Sequence, residues 1–361
     1  MSEVFYDVVV AGGGPAGAVA GLTLARAGRR VLLLEESSNT RFKIGEALPP
    51  AARQLLQDVG LWDGFVSQGH LPSYGNLSAW GSSELHATDF IFDPNGAGWH
   101  LDRRRFDRWL QQAAAEAGVE VRTGVKLNIK ACEFSNGSWS ISVNEAEQRL
   151  GSRWLIDATG RRSAVARAQG VTKCADDGLI ALFAVFDSES IDEDSRTLIE
   201  SDPGGWWYTA LLPSRERVVV YLTDADLAPQ NLRSKQGFLA RLSHTQHVSG
   251  CLRGHDETTE DVKTVQANSA RLESYTGEGW IAVGDAAMSF DPLSSQGILT
   301  ALFTGLKAAE ALEASTPASF TSYSERLSKI YNAYLQNRFT FYAQEKRWTT
   351  HPFWRRRHAP G

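Results

Sequence analysis

The chain has 361 residues, of which 42% are hydrophobic and 22% charged, and its formal net charge is −5 at pH 7. This length predicts two joined domains, and the acidic balance gives no global reason to expect a nucleic-acid partner. Three widely spaced cysteines, Cys132, Cys174 and Cys251, argue against a disulfide framework or a zinc site. No apolar run approaches the ~20 residues of a membrane-spanning helix, and no signal peptide precedes the first strand, so we expect a cytoplasmic protein.

The first predicted elements are a strand, a glycine turn, a helix and a second strand. A short apolar strand precedes Gly12, Gly14 and Gly17, which have the spacing G-x-G-x-x-G. In this motif the first glycine permits a tight turn, the second lets a pyrophosphate approach the backbone, and the third lets the helix pack on the strand. The second strand ends at Glu35, whose carboxylate can accept hydrogen bonds from an adenosine ribose. The sequence therefore predicts an ADP-containing dinucleotide, the alternative being a tight turn alone.

The next part of the chain alternates between loops, helices and strands. A loop with the sequence RFKIGEALPP spans residues 41–50, and a helix capped by Asp102 spans residues 102–117. The other elements predicted here are a helix at 51–59 and strands at 77–80, 90–92, 119–122, 125–129, 139–143 and 155–158.

Residues 178–225 contain the runs LIALFAVF, WWYTALLP and RVVVYL, which predict a separate antiparallel sheet. The remaining predictions are a helix at about 235–255, a buried strand at 280–283, helices at about 296–313 and 320–344, and a basic aromatic tail. We therefore expect a discontinuous cofactor domain (1–75, 99–175 and 270–315), an inserted β-rich substrate domain (76–98 and 176–269) and a C-terminal helix with its tail (316–361).

Two downstream motifs favour FAD over NAD as the dinucleotide. The first, LIDATG at 155–160, is a strand that ends at Asp157 and is followed by a turn of small residues. The second, WIAVGDAAMSFDPLSSQGI at 280–298, places Asp285 after a strand, where it can bind ribityl or ribose hydroxyls. Its 293–297 loop would aim backbone N–H groups at the pyrimidine end of an isoalloxazine, which favours the anionic reduced flavin.

Together these motifs resemble the FAD-dependent monooxygenase and halogenase superfamily, and the resemblance runs from residue 8 to about residue 309. It implies an α/β fold of the p-hydroxybenzoate hydroxylase type, in which an antiparallel β-sheet substrate domain is inserted into a Rossmann-like FAD-binding domain. It also implies cofactor contacts at Arg103, at the Val125 backbone and along the G-E-x-x-x-P loop. The full set of predicted FAD-binding residues is Gly12, Gly14, Pro15, Ala16, Gly17, Glu35, Glu46, Ala47, Arg103, Val125, Asp157, Gly160, Gly284, Asp285, Pro292, Gln296, Gly297 and Ile298, with no metal ion.

The resemblance implies that an electron-rich aromatic ring is hydroxylated through a flavin C4a-hydroperoxide. Halogenation is disfavoured, because the W-x-W-x-I-P motif of the family's halogenases reads Y-T-A-L-L-P at 208–213. Their lysine also lacks a counterpart, since no lysine lies between Lys43 and Lys126. The catalytic candidates are Trp207, Tyr208, Pro292 and Glu46, and a dehydrogenase or a flavin-binding protein without monooxygenase activity remains an alternative.

The chain is short for this superfamily and resembles the flavoproteins that mature the tryptophylquinone cofactors of lysine and glycine oxidases. That resemblance implies a tryptophan side chain of a precursor protein as the substrate. The basic aromatic tail agrees with docking on such a partner, the alternatives being a surface-packed or disordered end or contact with a membrane surface. The alternative substrate is a small aromatic metabolite, free or tethered to a carrier. NAD(P)H bound transiently, or a separate flavin reductase, would supply the electrons.

Overall fold

The structure is a computed structural model that describes residues 4–37, 42–143, 149–187, 193–252 and 261–359. Its helices are α1 (Pro15–Arg26), α2 (Ala52–Asp58), α3 (Trp62–Val66), α4 (Arg103–Glu116), α5 (Ala164–Ala168), α6 (Lys235–Leu242), α7 (Gly297–Ala314), α8 (Pro317–Ala343) and α9 (Pro352–His358). Its strands are β1 (Val4–Ala11), β2 (Val31–Glu35), β3 (Ala47–Leu48), β4 (Leu71–Ser73), β5 (Gly75–Ala79), β6 (His86–Asp89), β7 (Gly98–His100), β8 (Glu120–Thr123), β9 (Glu133–Ser135), β10 (Ser138–Ser142), β11 (Arg149–Asp157), β12 (Lys173–Ala175), β13 (Leu179–Phe186), β14 (Thr197–Asp202), β15 (Gly205–Leu211), β16 (Arg217–Asp224), β17 (Lys263–Gln266), β18 (Ala270–Leu272), β19 (Thr276–Gly277), β20 (Trp280–Ala282) and β21 (Met288–Ser289).

The cofactor sheet is built around parallel strands in the order β20-β11-β1-β2-β8. Antiparallel β19 extends its β20 edge, and the β9–β10 hairpin is attached to β11. Strands β1 and β2 are continuous apolar runs because parallel strands have both faces covered, and Val9 and Leu33 are fully buried. Helix α1 follows β1 directly and packs against α4 and α7. This confirms the predicted α/β, Rossmann-like fold of the cofactor-binding part.

The substrate sheet has the strand order β17-β13-β16-β15-β14-β5-β6, with seven strands among the residues that the structure describes. Its pairs are antiparallel except for β14 with β5. Because side chains alternate along a strand, Trp206 and Tyr208 lie on one face of β15 and Trp207 on the other. The Trp207 face packs against Phe238 of α6. The domain boundaries predicted above stay a prediction.

Three predicted elements differ in the structure. Residues 90–92 form a 3₁₀ turn whose Ile91 and Phe92 are 80% and 93% exposed, instead of a strand. Residues 125–129 contain only an isolated bridge at Leu127 instead of a strand. The helix predicted to reach residue 255 ends at Leu242, and residues 253–255 lie outside the described residues. After that helix the Glu200 carboxylate accepts three successive backbone N–H groups, at 2.7–2.9 Å, which fixes a turn at 246–248.

The aromatic tail is part of the core. Phe353 and Trp354 of α9 are 1% and 0% exposed, and they pack beside Trp80 and Tyr342. The buried Arg357 guanidinium pairs with Asp224 of the substrate sheet at 2.7 Å. The suggestion that this tail docks on a partner is therefore wrong for these side chains, because the molecule itself buries them. None of the helices in the described ranges is long and apolar enough to cross a membrane.

Candidate active site

A cavity of about 750 Å³ joins the glycine loop to one face of the substrate sheet. The loop and the start of α1 line one part of the cavity, and the segment before α7 lines another. Ala181, Val220 and Leu222 of β13 and β16 supply an apolar wall from the substrate sheet. The cavity therefore combines a dinucleotide cradle with an adjoining apolar chamber.

The glycine loop has the geometry that the motif requires. Gly12 has φ +117°, and a Cβ there would lie 2.2 Å from the Ala158 carbonyl oxygen. A Cβ on Gly17 would lie 2.0 Å from the Gly12 carbonyl oxygen, so this glycine permits the close strand–helix contact. A Cβ on Gly14 would meet no heavy atom within 4 Å, which leaves open space where α1 begins. Backbone N–H groups at a helix N-terminus favour an anion, so this cradle fits a pyrophosphate.

The Glu35 carboxylate lies beside this cradle at the end of β2. It accepts hydrogen bonds from the Gly13 and Ser37 backbone N–H groups, at 2.6 and 2.8 Å. The Val125 N–H donates to the Glu35 carbonyl oxygen at 3.0 Å, which brings the 125–127 segment to the cavity wall. These contacts hold an acid and a backbone edge where the adenosine end of FAD would bind.

Arg103 connects α4 with the loop that precedes β3. Its guanidinium donates to the Gly45 carbonyl oxygen at 2.8 Å and pairs with Asp107 at 3.2 Å. The Lys43 ammonium pairs with the same Asp107 carboxylate at 2.6 Å. Since Arg103 and the 43–47 loop both line the cavity, this cluster fixes the wall on which Glu46 lies.

The segment before α7 is held from beneath by Asp291, a residue that the sequence analysis did not select. Its buried carboxylate accepts hydrogen bonds from the Leu293 N–H at 2.9 Å and the Tyr342 hydroxyl at 2.7 Å. Burial raises the pKa of Asp291. The sequence feature that points to this role is its place directly before Pro292, since aspartate commonly accepts hydrogen bonds from following N–H groups in turns.

The polar edge of the apolar chamber is a phenol–carboxylate pair. Tyr208 on β15 donates its hydroxyl to the carboxylate of Glu46, which is 2% exposed. Burial and the nearby Glu46 charge raise the pKa of Tyr208 well above its ordinary value, so the phenol is protonated. Both residues line the cavity. The pair can accept a hydrogen bond or a proton from a ligand in the chamber.

The structure brings most of the predicted residues to this one cavity, although their roles stay predictions. The predicted residues that line it are Gly12, Gly14, Pro15, Ala16, Gly17, Glu35, Glu46, Ala47, Arg103, Val125, Gly160, Tyr208, Asp285, Pro292, Gln296, Gly297 and Ile298.

Three predicted residues lie elsewhere. Trp207 is fully buried on the far face of β15, with its ring 4.7 Å from that of Tyr221, because its neighbour Tyr208 takes the cavity face. Asp157 is also fully buried and does not line the cavity, and it accepts the N–H groups of Val165 and Ala166 at the start of α5, both at 2.9 Å. Gly284 does not line the cavity, and it packs closely against α1, where a Cβ would be 2.9 Å from the Ala16 Cβ.

Comparison with known proteins identifies the type of site. The profile of the FAD binding domain family matches residues 5–337. The chain is 34% identical over 361 residues to LodB of Marinomonas mediterranea, to which an FAD-dependent oxidoreductase activity is attributed, covering 98% of this chain and 97% of that protein. It is 27% identical over 326 residues to a 1H-pyrrole-2-carbonyl peptidyl-carrier-protein brominase of Pseudoalteromonas luteoviolacea, covering 87% and 79% of the two chains.

Solved structures with similar folds include the myxobacterial halogenase CndH, with a TM-score of 0.89 and 24% identity over 99% of this chain and 87% of that one. The peptidyl tryptophan dihydroxylase QhpG has a TM-score of 0.83 and 24% identity over 99% and 79% of the two chains. At these identities the structural likeness shows the fold alone.

The comparisons contradict the prediction of aromatic hydroxylation in tryptophylquinone biogenesis. Relatives with a stated reaction include a brominase, a chlorinase and several halogenases, whereas the dihydroxylase is one structural neighbour. The two motif tryptophans and the lysine that this chain lacks are local features, whereas its similarity to relatives named as halogenases extends over most of its length.

Proposed function

Because the chain belongs to the FAD binding domain family and is an FAD-dependent oxidoreductase, we propose that it halogenates an electron-rich aromatic ring. Bound FAD, once reduced, supplies with oxygen the oxidising power that converts halide into an electrophile. The protein binds the cofactor through the glycine loop and through the 43–47 loop that Arg103 holds in place. It presents the ring in the apolar chamber. The observation that carries the proposal is this continuous cavity in a chain that resembles halogenases over most of its length.

The chamber favours an uncharged aromatic ring. Its wall from Ala181, Val220 and Leu222 carries no charge, and the Tyr208–Glu46 pair offers hydrogen bonding at one edge. Burial of apolar surface binds such a ring and excludes water from the reacting atoms. A small phenol, pyrrole or indole has this combination of an apolar face and one polar edge.

The lysines that line the cavity, within the described ranges, are both held by carboxylates. Lys43 pairs with Asp107 at 2.6 Å, and Lys126 pairs with Glu36 at 3.0 Å. We therefore assign the polar edge of the substrate chamber to Tyr208 and Glu46 instead of to a lysine amine.

Product analysis tests the proposal. The FAD-loaded protein would be supplied with oxygen, NADH, a flavin reductase and either bromide or chloride. The ring panel would contain phenol, pyrrole and indole, together with pyrrole-2-carboxylate free and tethered to a carrier protein. Mass spectrometry would then identify halogenated and oxygenated products, and the carrier arm would show how the ring must be presented.

A halogenated ring that forms only with halide, flavin reductase and the FAD-loaded protein supports the proposal. A ring that gains oxygen at the same rate with or without halide overturns it. The Gly14→Leu variant is the control for free reduced flavin, because product formed equally with it would not arise in this cavity.

A further inference from the structure

Two hydrogen-bonded pairs lie side by side at the substrate chamber, Tyr208 with Glu46 and Thr197 with His100. Glu46 accepts the Tyr208 hydroxyl, and the Thr197 hydroxyl of β14 adjoins the Tyr208 phenol on its other side. Thr197 Oγ1 also lies 3.1 Å from His100 Nε2, and His100 Nδ1 lies 2.8 Å from the Leu211 carbonyl oxygen. Glu46, Thr197 and His100 are 2%, 5% and 1% exposed, so bulk water does not compete for these contacts.

The Leu211 carbonyl sets the direction of the hydrogen bonds of His100 and Thr197. A carbonyl oxygen only accepts, so the Leu211 contact assigns the proton of His100 to Nδ1 and leaves Nε2 as an acceptor. Burial lowers the pKa of His100, which keeps the ring neutral. The Thr197 hydroxyl has a single proton and therefore donates it to His100 Nε2. The Tyr208 oxygen, whose own proton is donated to Glu46, then keeps a lone pair for a donor in the chamber.

The other acids on the cavity wall are occupied in ways that do not suit this role. Glu35 is held by the backbone N–H groups of the glycine loop. Asp291 uses one carboxylate oxygen for the Leu293 N–H and the other for Tyr342. Asp285 lies 3.6 Å from the Arg161 guanidinium, and Glu36 pairs with Lys126 at 3.0 Å and with Arg162 at 2.7 Å. Glu46 is the carboxylate that contacts a hydroxyl of the substrate sheet.

We propose that Tyr208 and Glu46 form a two-step proton acceptor for the substrate ring, in which the Tyr208 oxygen is free to accept because Thr197 donates its proton to His100. This rests on the proposed halogenation, which releases one proton per substituted ring. The halogen arrives as hypohalous acid, so the carbon–halogen bond forms as the oxygen–halogen bond breaks and hydroxide leaves. The C–H bond then breaks and its electron pair returns to the ring. The proton goes to the Tyr208 oxygen as the Tyr208 proton passes to Glu46, so a neutral phenol and a neutral carboxylic acid result. Net charge in the buried pair and ring is conserved, which avoids an isolated buried ion.

Nuclear magnetic resonance of the FAD-loaded protein tests the hydrogen bonds of His100 and Tyr208 without turnover. With ¹⁵N-labelled histidine, we expect a neutral His100 with its proton on Nδ1, and Thr197→Val should shift the Nε2 resonance. With tyrosine labelled with ¹³C at Cζ, Glu46→Gln should shift the Tyr208 resonance, which Tyr208→Phe identifies. A proton on Nε2, or resonances unmoved by these substitutions, would overturn the proposal.

Bromination of phenol in the presence of bromide tests the proton transfer itself. Tyr208→Phe and Glu46→Gln should each lower kcat at least about 100-fold, the lower end of what general-base catalysis contributes, with little change in the KM for bromide. The flavin absorbance of each purified variant shows whether a lower kcat comes from lost FAD, so kcat is taken per bound FAD. Ring-deuterated phenol should show a larger kinetic isotope effect in these variants than in wild type, because proton removal becomes slow.

Tyr74→Phe is the matched control, since Tyr74 is 63% exposed. Full kcat in Tyr208→Phe or Glu46→Gln, or an unchanged isotope effect, would overturn the two-step acceptor. If the wild-type protein forms no halogenated product from phenol or from any other ring of the panel, the proposed halogenation is overturned. The resonance experiment then tests the hydrogen bonds of His100 and Tyr208 independently of turnover.

Discussion

At the scale of single residues, Gly14 separates cofactor binding from folding. Its φ of −71° and ψ of −178° are open to any residue, and a side chain there would meet no protein atom within 4 Å. We expect Gly14→Leu to abolish FAD binding, because the side chain fills the pyrophosphate position. The FAD-free variant should unfold within about 1 kcal/mol of the FAD-free wild type.

Flavin absorbance after gel filtration and urea unfolding of the FAD-free chains would measure the two effects. Gly178→Leu is the matched control, since Gly178 is exposed and its Cβ would also meet no atom within 4 Å. A Gly14→Leu protein that remains yellow would contradict the placement of the pyrophosphate.

His70 makes stability depend on pH. Its ring is buried against Phe65 and Phe106, and Nδ1 accepts the Asp102 N–H at 3.3 Å. Burial lowers the pKa of His70 to about 4. The unfolded chain therefore binds a proton near pH 6.5, where the folded chain does not, so this stabilisation is present above pH 6.5 and is lost as pH falls toward 4.

We expect the drop in unfolding free energy between pH 8 and pH 5 to be about 2 kcal/mol smaller in His70→Asn than in wild type. Asparagine keeps an acceptor near the Asp102 N–H and does not titrate. Urea unfolding at the two pH values measures the drop, with His86→Asn as the control at an exposed histidine. Equal drops in wild type and His70→Asn would show that His70 is not the group responsible.

At the scale of elements, α9 is a structural clamp on the substrate sheet. Trp354 is fully buried, and its indole N–H donates to the Asp202 carbonyl oxygen at 2.9 Å, at the end of β14. We expect Trp354→Ala to destabilise the protein by about 3–5 kcal/mol, because it leaves a cavity in a packed aromatic cluster. Chemical denaturation measures this, and Phe339→Ala, at a side chain that is 45% exposed, should cost far less. Equal losses would argue that α9 is not clamped.

At the scale of the whole molecule, α8 connects the two sheets. Near its start Tyr323 donates to the Ala282 carbonyl oxygen of the cofactor sheet at 2.7 Å. Near its end Tyr342 packs against Trp80 and Trp354 beside the substrate sheet. Because one continuous helix belongs to both cores, we expect a single cooperative unfolding transition. Calorimetric and van't Hoff enthalpies should then agree, and two separate transitions would contradict the coupling.

The sequence alone was sufficient to predict the cofactor-binding part. Strand, glycine loop, helix and acid follow one another over residues 4–35, so local backbone geometry and hydrophobic periodicity determine them. The same holds for the alternating strands of the substrate sheet. Predicted locations in the cell and electron donors stay predictions.

The tertiary structure decided the features that depend on distant contacts. Tyr208 and Glu46 are 162 residues apart in the chain, and only the packing of β15 over the 43–47 loop brings them together. Alternation along β15 predicts that Trp207 and Tyr208 lie on opposite faces, but it does not say which face adjoins the cavity. Tyr208 lines the cavity, whereas Trp207, the other catalytic candidate on this strand, is buried on the far face. The tail likewise reads as a free basic aromatic segment, yet α8 returns it to the substrate sheet. Local periodicity specifies which residues share a face, whereas the partner of that face is set by the summed burial of the whole chain.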